Sequence, residues 1–146
     1  MLSAECPGRD ADAAVGVLYD SHYRPLTRLA ALLAADEAIA EEIVRDAFVA
    51  MHAMWRQLGD RDRALRYLQE TVVRRSRSRQ APPPPGPGLV AALRALPRPQ
   101  REALVLRYYA DMPEARIASV MGISSRAVCS HIARGMTALQ AILGSG

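Results

Sequence analysis

Ile117-Ala118-Ser119-Val120-Met121-Gly122-Ile123-Ser124 is the stretch on which the reading of this chain turns. An apolar helix face runs into Gly122, and a serine follows two residues later. Helices stop well at glycine, because the residue past their end often takes a positive φ that a Cβ would oppose. Ser124 suits an N-cap, since its hydroxyl accepts from the free amides of the next turn. A second helix from Ser125 to about Leu143 is then expected. Along it Arg126, Ser130 and Arg134 recur every four residues and share one face, while Val128, Ile132 and Leu139 point the other way. Two helices joined by a tight glycine turn, the second polar and arginine-bearing, make a helix-turn-helix that can lay its second helix in a major groove. Arginine pairs with guanine or phosphate, and serine contacts backbone or base. The bland alternative is a solvated helix face with chance arginines.

Working outward, Glu114–Met121 reads as the first helix of the pair, entered through the turn Asp111-Met112-Pro113. Leu89–Leu96 is a short amphipathic helix ended by Pro97, and another spans about Gln100 to Ala110. Upstream lies Gln80-Ala81-Pro82-Pro83-Pro84-Pro85-Gly86-Pro87-Gly88, which cannot continue a helix and favours polyproline II. It reads as a linker (81–88) between an N-terminal module (12–80) and the C-terminal one (89–143). In the N-terminal module one helix carries Val15, Leu18, Tyr19, Leu26, Leu29 and Leu33, with a kink or break expected at Pro25. A second opens near Asp36-Glu37, buries Ile39, Ile43, Ala47, Ala50, Met54 and Leu58, and stops at Gly59-Asp60. A third runs from about Asp62 to Ser78, with Leu65, Leu68, Val72 and Val73 inward. The expected fold is all-α: two small helical domains, each with a modest core.

Composition agrees. Half of the 146 residues are hydrophobic but only 5% are aromatic, which suits helices more than sheets. All 19 basic residues are arginine. Residues 1–80 balance twelve arginines against twelve acids, whereas 81–146 hold seven against Glu102, Asp111 and Glu114. The net charge of +4 therefore sits in the C-terminal part, which suits phosphate contact, while the mixed N-terminal part suits a protein partner. Cys6 and Cys129 have no metal-ligand spacing, and no signal peptide or apolar run of membrane-spanning length is seen. A cytoplasmic protein without membrane insertion is expected. His22, His52 and His131 lack partners at ligand spacing, and no phosphate-binding glycine loop occurs. Neither catalytic residues, nor a metal, nor a cofactor is expected, and an enzyme is not.

Taken together, the two modules resemble the extracytoplasmic-function (group IV) sigma factors of bacterial RNA polymerase, of the sigma-70 superfamily and actinobacterial-like. Leu96-Pro97-Arg98-Pro99-Gln100-Arg101-Glu102-Ala103-Leu104, Arg107-Tyr108-Tyr109, Ile117-Ala118, Gly122-Ile123-Ser124 and Val128-Cys129-Ser130-His131-Ile132 are similar to sigma region 4. Leu18-Tyr19-Asp20-Ser21-His22-Tyr23 resembles the start of region 2, and Ala40-Glu41-Glu42-Ile43-Val44-Arg45-Asp46-Ala47-Phe48 its polymerase-binding helix. Arg63-Ala64-Leu65-Arg66-Tyr67-Leu68 and the arginine-serine run to Arg79 resemble the promoter-melting helix.

The resemblance implies a partner set: core RNA polymerase at its clamp and flap, promoter DNA, and room for an anti-sigma factor. It implies −35 contacts from Ser124, Ser125, Arg126, Cys129, Ser130, His131 and Arg134, and −10 contacts from Arg66, Tyr67, Arg74, Arg75, Arg77 and Arg79. Polymerase docking falls to Glu41, Glu42, Arg45, Asp46 and Phe48, although the spacing of Phe48 and Trp55 alone reads as core. Four positions depart from the family pattern. Cys129 and His131 stand where a basic residue is frequent, Arg45 where glutamine is usual, and Arg74 where asparagine is usual.

The linker constrains this assignment. From Gln80 to Leu89 the chain spans about 30 Å when fully extended, and the two promoter elements lie about 50 Å apart along the duplex. One chain can read both only if the linked ends of the modules face each other. Three functions therefore stay open: an initiation factor, a sigma-like adaptor reading one element, and a stand-alone helix-turn-helix repressor.

Overall fold

The structure, a computed structural model, describes residues 7–82 and 88–144. The proline run at 83–87 lies outside the described residues. Everything regular among them is helical: α1 (Pro7–Ala34), α2 (Glu37–Ala53), α3 (Trp55–Leu58), α4 (Arg61–Ser78), α5 (Leu89–Arg94), α6 (Arg98–Leu104), α7 (Glu114–Met121) and α8 (Ser125–Gly144). A π turn, Val105–Tyr109, continues α6.

Most boundaries follow from the caps. Asp36 accepts from the Ile39 amide at 2.8 Å and opens α2; Asp60 accepts from the Arg63 amide at 2.9 Å and opens α4. Gly59 takes φ 85° and Gly122 φ 73°, the left-handed stops expected at both places. Ser124 caps α8 through the Ala127 amide at 3.1 Å.

Three boundaries differ from the expectation. α1 passes through Pro25 without a break. Proline costs the helix one hydrogen bond and a steric clash, but Leu18, Leu26, Leu29 and Leu33 on both sides of it are buried in the same core, so packing holds the helix together. The helix expected to reach Leu58 divides at Met54, whose backbone (φ −98°, ψ 5°) leaves the helical region. The helix expected at Gln100–Ala110 widens after Leu104, where the Ala110 amide reaches back five residues to the Val105 carbonyl at 3.1 Å.

The larger difference is in packing. The two modules share one apolar core: Leu29, Leu33, Ile43, Met51, Leu68 and Val72 are continuous with Leu93, Leu104, Leu106, Ile117 and Val128. α7 packs on α4, and α5 and the π turn pack on α1. Sequence periodicity reports that a face is buried without saying against what, which is why two separate cores were expected.

Polar contacts seal the junction. The Glu102 carboxylate on α6, 4% exposed, accepts from Arg77 Nε at 2.9 Å and Nη2 at 2.8 Å. Arg116 on α7 donates to Glu70 at 3.0 Å, to the Gln69 side chain at 3.1 Å and to the Arg66 carbonyl at 3.3 Å, all on α4. The Tyr109 hydroxyl donates to the Pro25 carbonyl at 3.4 Å. The start of the linker is pinned as well. The Ala81 amide donates to the Ala34 carbonyl at 2.9 Å, and Arg94 donates to the Gln80 side chain and the Ala81 carbonyl.

The glycine turn gives a direct check. No atom lies within 4 Å of where a Gly122 Cβ would stand, so Gly122→Ala is opposed only by the left-handed backbone. Thermal or urea denaturation is expected to show a loss of about 1–2 kcal/mol, and a smaller loss for Gly122→Asn.

Candidate nucleic-acid interface

α8 is held by what lies behind it. Val128 is fully buried, Ile132 and Leu139 pack on the core, and Gly135 lets α8 approach α6 so closely that a Cβ would stand 2.9 Å from Leu104. This fixes the opposite face outward. Arg126, Cys129 and Arg134 are exposed and Ser130 is half-buried, in one stripe; Ser124 and Ser125 are exposed at its N-terminal end. Arg126 and Arg134 have no acidic partner among the described residues, so both guanidiniums stand available to an incoming anion. His131 departs from the stripe: it is half-buried, and its Nδ1 is enclosed without a hydrogen-bond partner.

The arginines at the end of α4 are placed differently. Arg75 lies 3.8 Å from Asp46 and Arg79 3.2 Å from Glu42, both acids on α2, while Arg77 is held by Glu102. Half of the six residues assigned to −10 contact are thus neutralised within the chain. Arg66 and Arg74 have exposed side chains without an acidic partner among the described residues, and Tyr67 is half-buried. The same pairs place the expected docking acids beside the expected melting arginines, so α2 and α4 present one mixed surface rather than two separate ones. Sequence reasoning could not see this, because ion pairs between helices some 30 residues apart leave no local pattern.

On α2 the side chains of Glu41, Glu42, Arg45 and Asp46 are exposed. Phe48 requires a correction. It is 4% exposed and sits against Tyr19 with ring centroids 5.2 Å apart, which in turn stacks on Tyr23 at 4.6 Å. Its aromatic ring gains more from burial than from water contact, so it supports the acidic face from beneath and cannot touch a partner. Val49, 71% exposed on the same helix, is the apolar residue presented there, and the sequence reading had not singled it out.

Several residues at the module junction were also missed. Glu102 and Arg101 on α6 are 3% and 5% exposed. Burial and the neighbouring Arg94 lower the Arg101 pKa from its ordinary value, whereas hydrogen bonding to Glu102 raises that of Arg77. An apolar groove of about 350 Å³ opens nearby, lined by Leu89, Leu93, Leu104, Tyr108, Met136 and Leu139 among others. Among the described residues no cluster of histidine, cysteine and carboxylates could hold a metal, and no helix is long and apolar enough to cross a membrane.

Cys129 illustrates how the first helix of the motif tunes the second. Its thiol pKa is raised, chiefly by a hydrogen bond with Glu114 on α7, with the Glu114 charge adding to the effect and Arg107 opposing it. A raised thiol pKa means less thiolate at a given pH, so Glu114→Gln is expected to speed alkylation of Cys129 between pH 7 and 9. Peptide mapping of iodoacetamide-treated protein would follow it, and equal rates in parent and variant would refute the coupling.

Comparison with known proteins gives this geometry a context. Residues 88–139 match the family model "Sigma-70, region 4". No curated protein matches the chain. Among solved structures, the fold is similar to that of a chain in the structure of CnrH in complex with the cytosolic domain of CnrY. The TM-score is 0.72 at 25% identity, over 92% of this chain and 95% of that one. Residues 88–139, with the outer face of α8 uncovered, are a sigma-70 region 4 domain.

Proposed function

We propose that this chain is a sigma factor of the extracytoplasmic-function type, which directs RNA polymerase to promoters. The observation that carries this reading is the uncovered stripe Arg126–Ser130–Arg134, fixed by the Gly122–Ser124 turn inside a segment that matches sigma-70 region 4. Region 4 (89–143) is assigned the −35 element and the polymerase flap. Residues 12–80 are assigned the region 2 tasks of clamp binding and −10 recognition, with 81–88 as the linker. The likeness to the CnrH complex over almost the whole chain supports that division. It also supports a regulatory protein partner, for which the groove beside Leu89, Tyr108 and Met136 offers an apolar seat.

One observation favours a second reading, the adaptor that recognises a single element. Arg75, Arg77 and Arg79 are already paired inside the chain, while the region 4 face is not. The two readings differ in what they do with core polymerase.

Reconstitution separates them. Purified chain added to core RNA polymerase is expected to yield promoter-specific transcript, and core binding without initiation would favour the adaptor. Operator binding with no affinity for core would instead leave a stand-alone repressor. Within the first outcome, Arg126→Ala and Arg134→Ala should each weaken duplex binding. If the lost contact is to phosphate, the log–log salt dependence should become shallower by about one; if it is to a base, sequence preference should relax. Fluorescence anisotropy across a salt series would measure both.

A further inference from the structure

A single stripe of α4 carries the junction between the modules. Arg66 (through its carbonyl), Gln69, Glu70, Val73 and Arg77 recur at helical spacing; Val73 is buried, and the other four bond to residues of α6 or α7. Arg77 belongs to the set assigned to melting promoter DNA, so its guanidinium has two prospective occupants. The C-terminal module already covers part of it.

Glu102 is the charged residue that fixes the geometry of that cover. Its two oxygens meet Arg77 Nε and Nη2 at 2.9 and 2.8 Å, the two-pronged geometry with which arginine also grips a phosphate. The carboxylate is 4% exposed, and Arg98 lies 3.9 Å from it as well. Two guanidiniums, those of Arg77 and Arg98, thus face one carboxylate, and a buried charge of this kind is stable only while paired. Arg116 forms a second tie to α4, one helix further on.

From this geometry we infer that Glu102 is an internal phosphate mimic: it occupies Arg77 and latches the two modules closed, so that nucleic acid can engage this stripe of α4 only after the latch has opened. This rests on the sigma-factor reading for the identity of the competitor, single-stranded DNA. It goes beyond that reading in making the chain restrain its own region 2 surface while its region 4 surface stays open. A protein or polymerase surface that separates the modules would then release Arg77.

The test uses the full chain and two variants, Glu102→Gln and Glu102→Gln/Arg77→Ala. Small-angle scattering reports the separation of the modules, and anisotropy with a random-sequence single-stranded oligonucleotide reports access to α4. Glu102→Gln keeps the side-chain shape and removes the charge. The latch predicts a larger radius of gyration and single-stranded affinity raised on the order of tenfold, a gain abolished in the double variant. An unchanged radius, unchanged affinity, or a gain that survives loss of Arg77 would each overturn it.

Should circular dichroism show that Glu102→Gln unfolds, Arg116→Ala breaks the second tie at a more accessible position. It must then give the same expansion and a smaller gain in affinity, or the latch is refuted. Duplex binding through α8 is expected to be equal in all folded variants. Its absence from the parent protein would count against the region 4 assignment, and the scattering result would still decide the latch.

Discussion

A carboxylate buried between two helical modules organises this molecule. Glu102 is nearly inaccessible to water, and a lone charge in such a place would be strongly destabilising unless neutralised or moved. Arg77 meets that requirement from across the junction, and Arg98 lies near the same negative charge from within α6. Breaking one partner from such a pair costs more than forming it gains, because the other charge is left behind. The pairing therefore specifies one docking geometry rather than supplying most of the stability. The apolar contact beneath it, where Val72 and Leu68 share a core with Leu106 and Ile117, supplies the bulk of the attraction.

That division of labour separates the two faces of the molecule. Residues that hold the modules together lie on α1, α4, α5, α6, α7 and the π turn. The reading stripe of α8 lies apart from them and keeps its arginines unpaired among the described residues. In the N-terminal module Arg63 lies near Asp60, Arg75 near Asp46 and Arg79 near Glu42, all of them exposed pairs. Exposed pairs of this kind contribute little to stability, and a competing polyanion or a basic partner can exchange them readily.

Much of this was legible in the chain. Gly122 and Ser124 announce the turn because each answers a purely local requirement: a left-handed backbone in one case, an unsatisfied amide in the other. The end of α2–α3 at Gly59 and the start of α4 at Asp60 are local in the same sense. Pro25 shows the limit of local reasoning. A proline costs a helix one hydrogen bond and a steric clash, and whether it breaks the helix depends on the leucines that flank it and on what they find to pack against. Phe48 shows a second limit, since a resemblance can carry a position but not the depth at which its side chain lies.

The sequence by itself determined an all-helical chain, the caps and turns that divide it, and the helix face that carries Arg126, Ser130 and Arg134. Those features arise from interactions within one or two helical turns, which spacing and residue type encode directly. Only the tertiary structure decided that the modules share a core, that Glu102 is buried, and that Arg75, Arg77 and Arg79 are already occupied. These depend on which surfaces meet across 25 to 50 residues of intervening chain, and no local period records them.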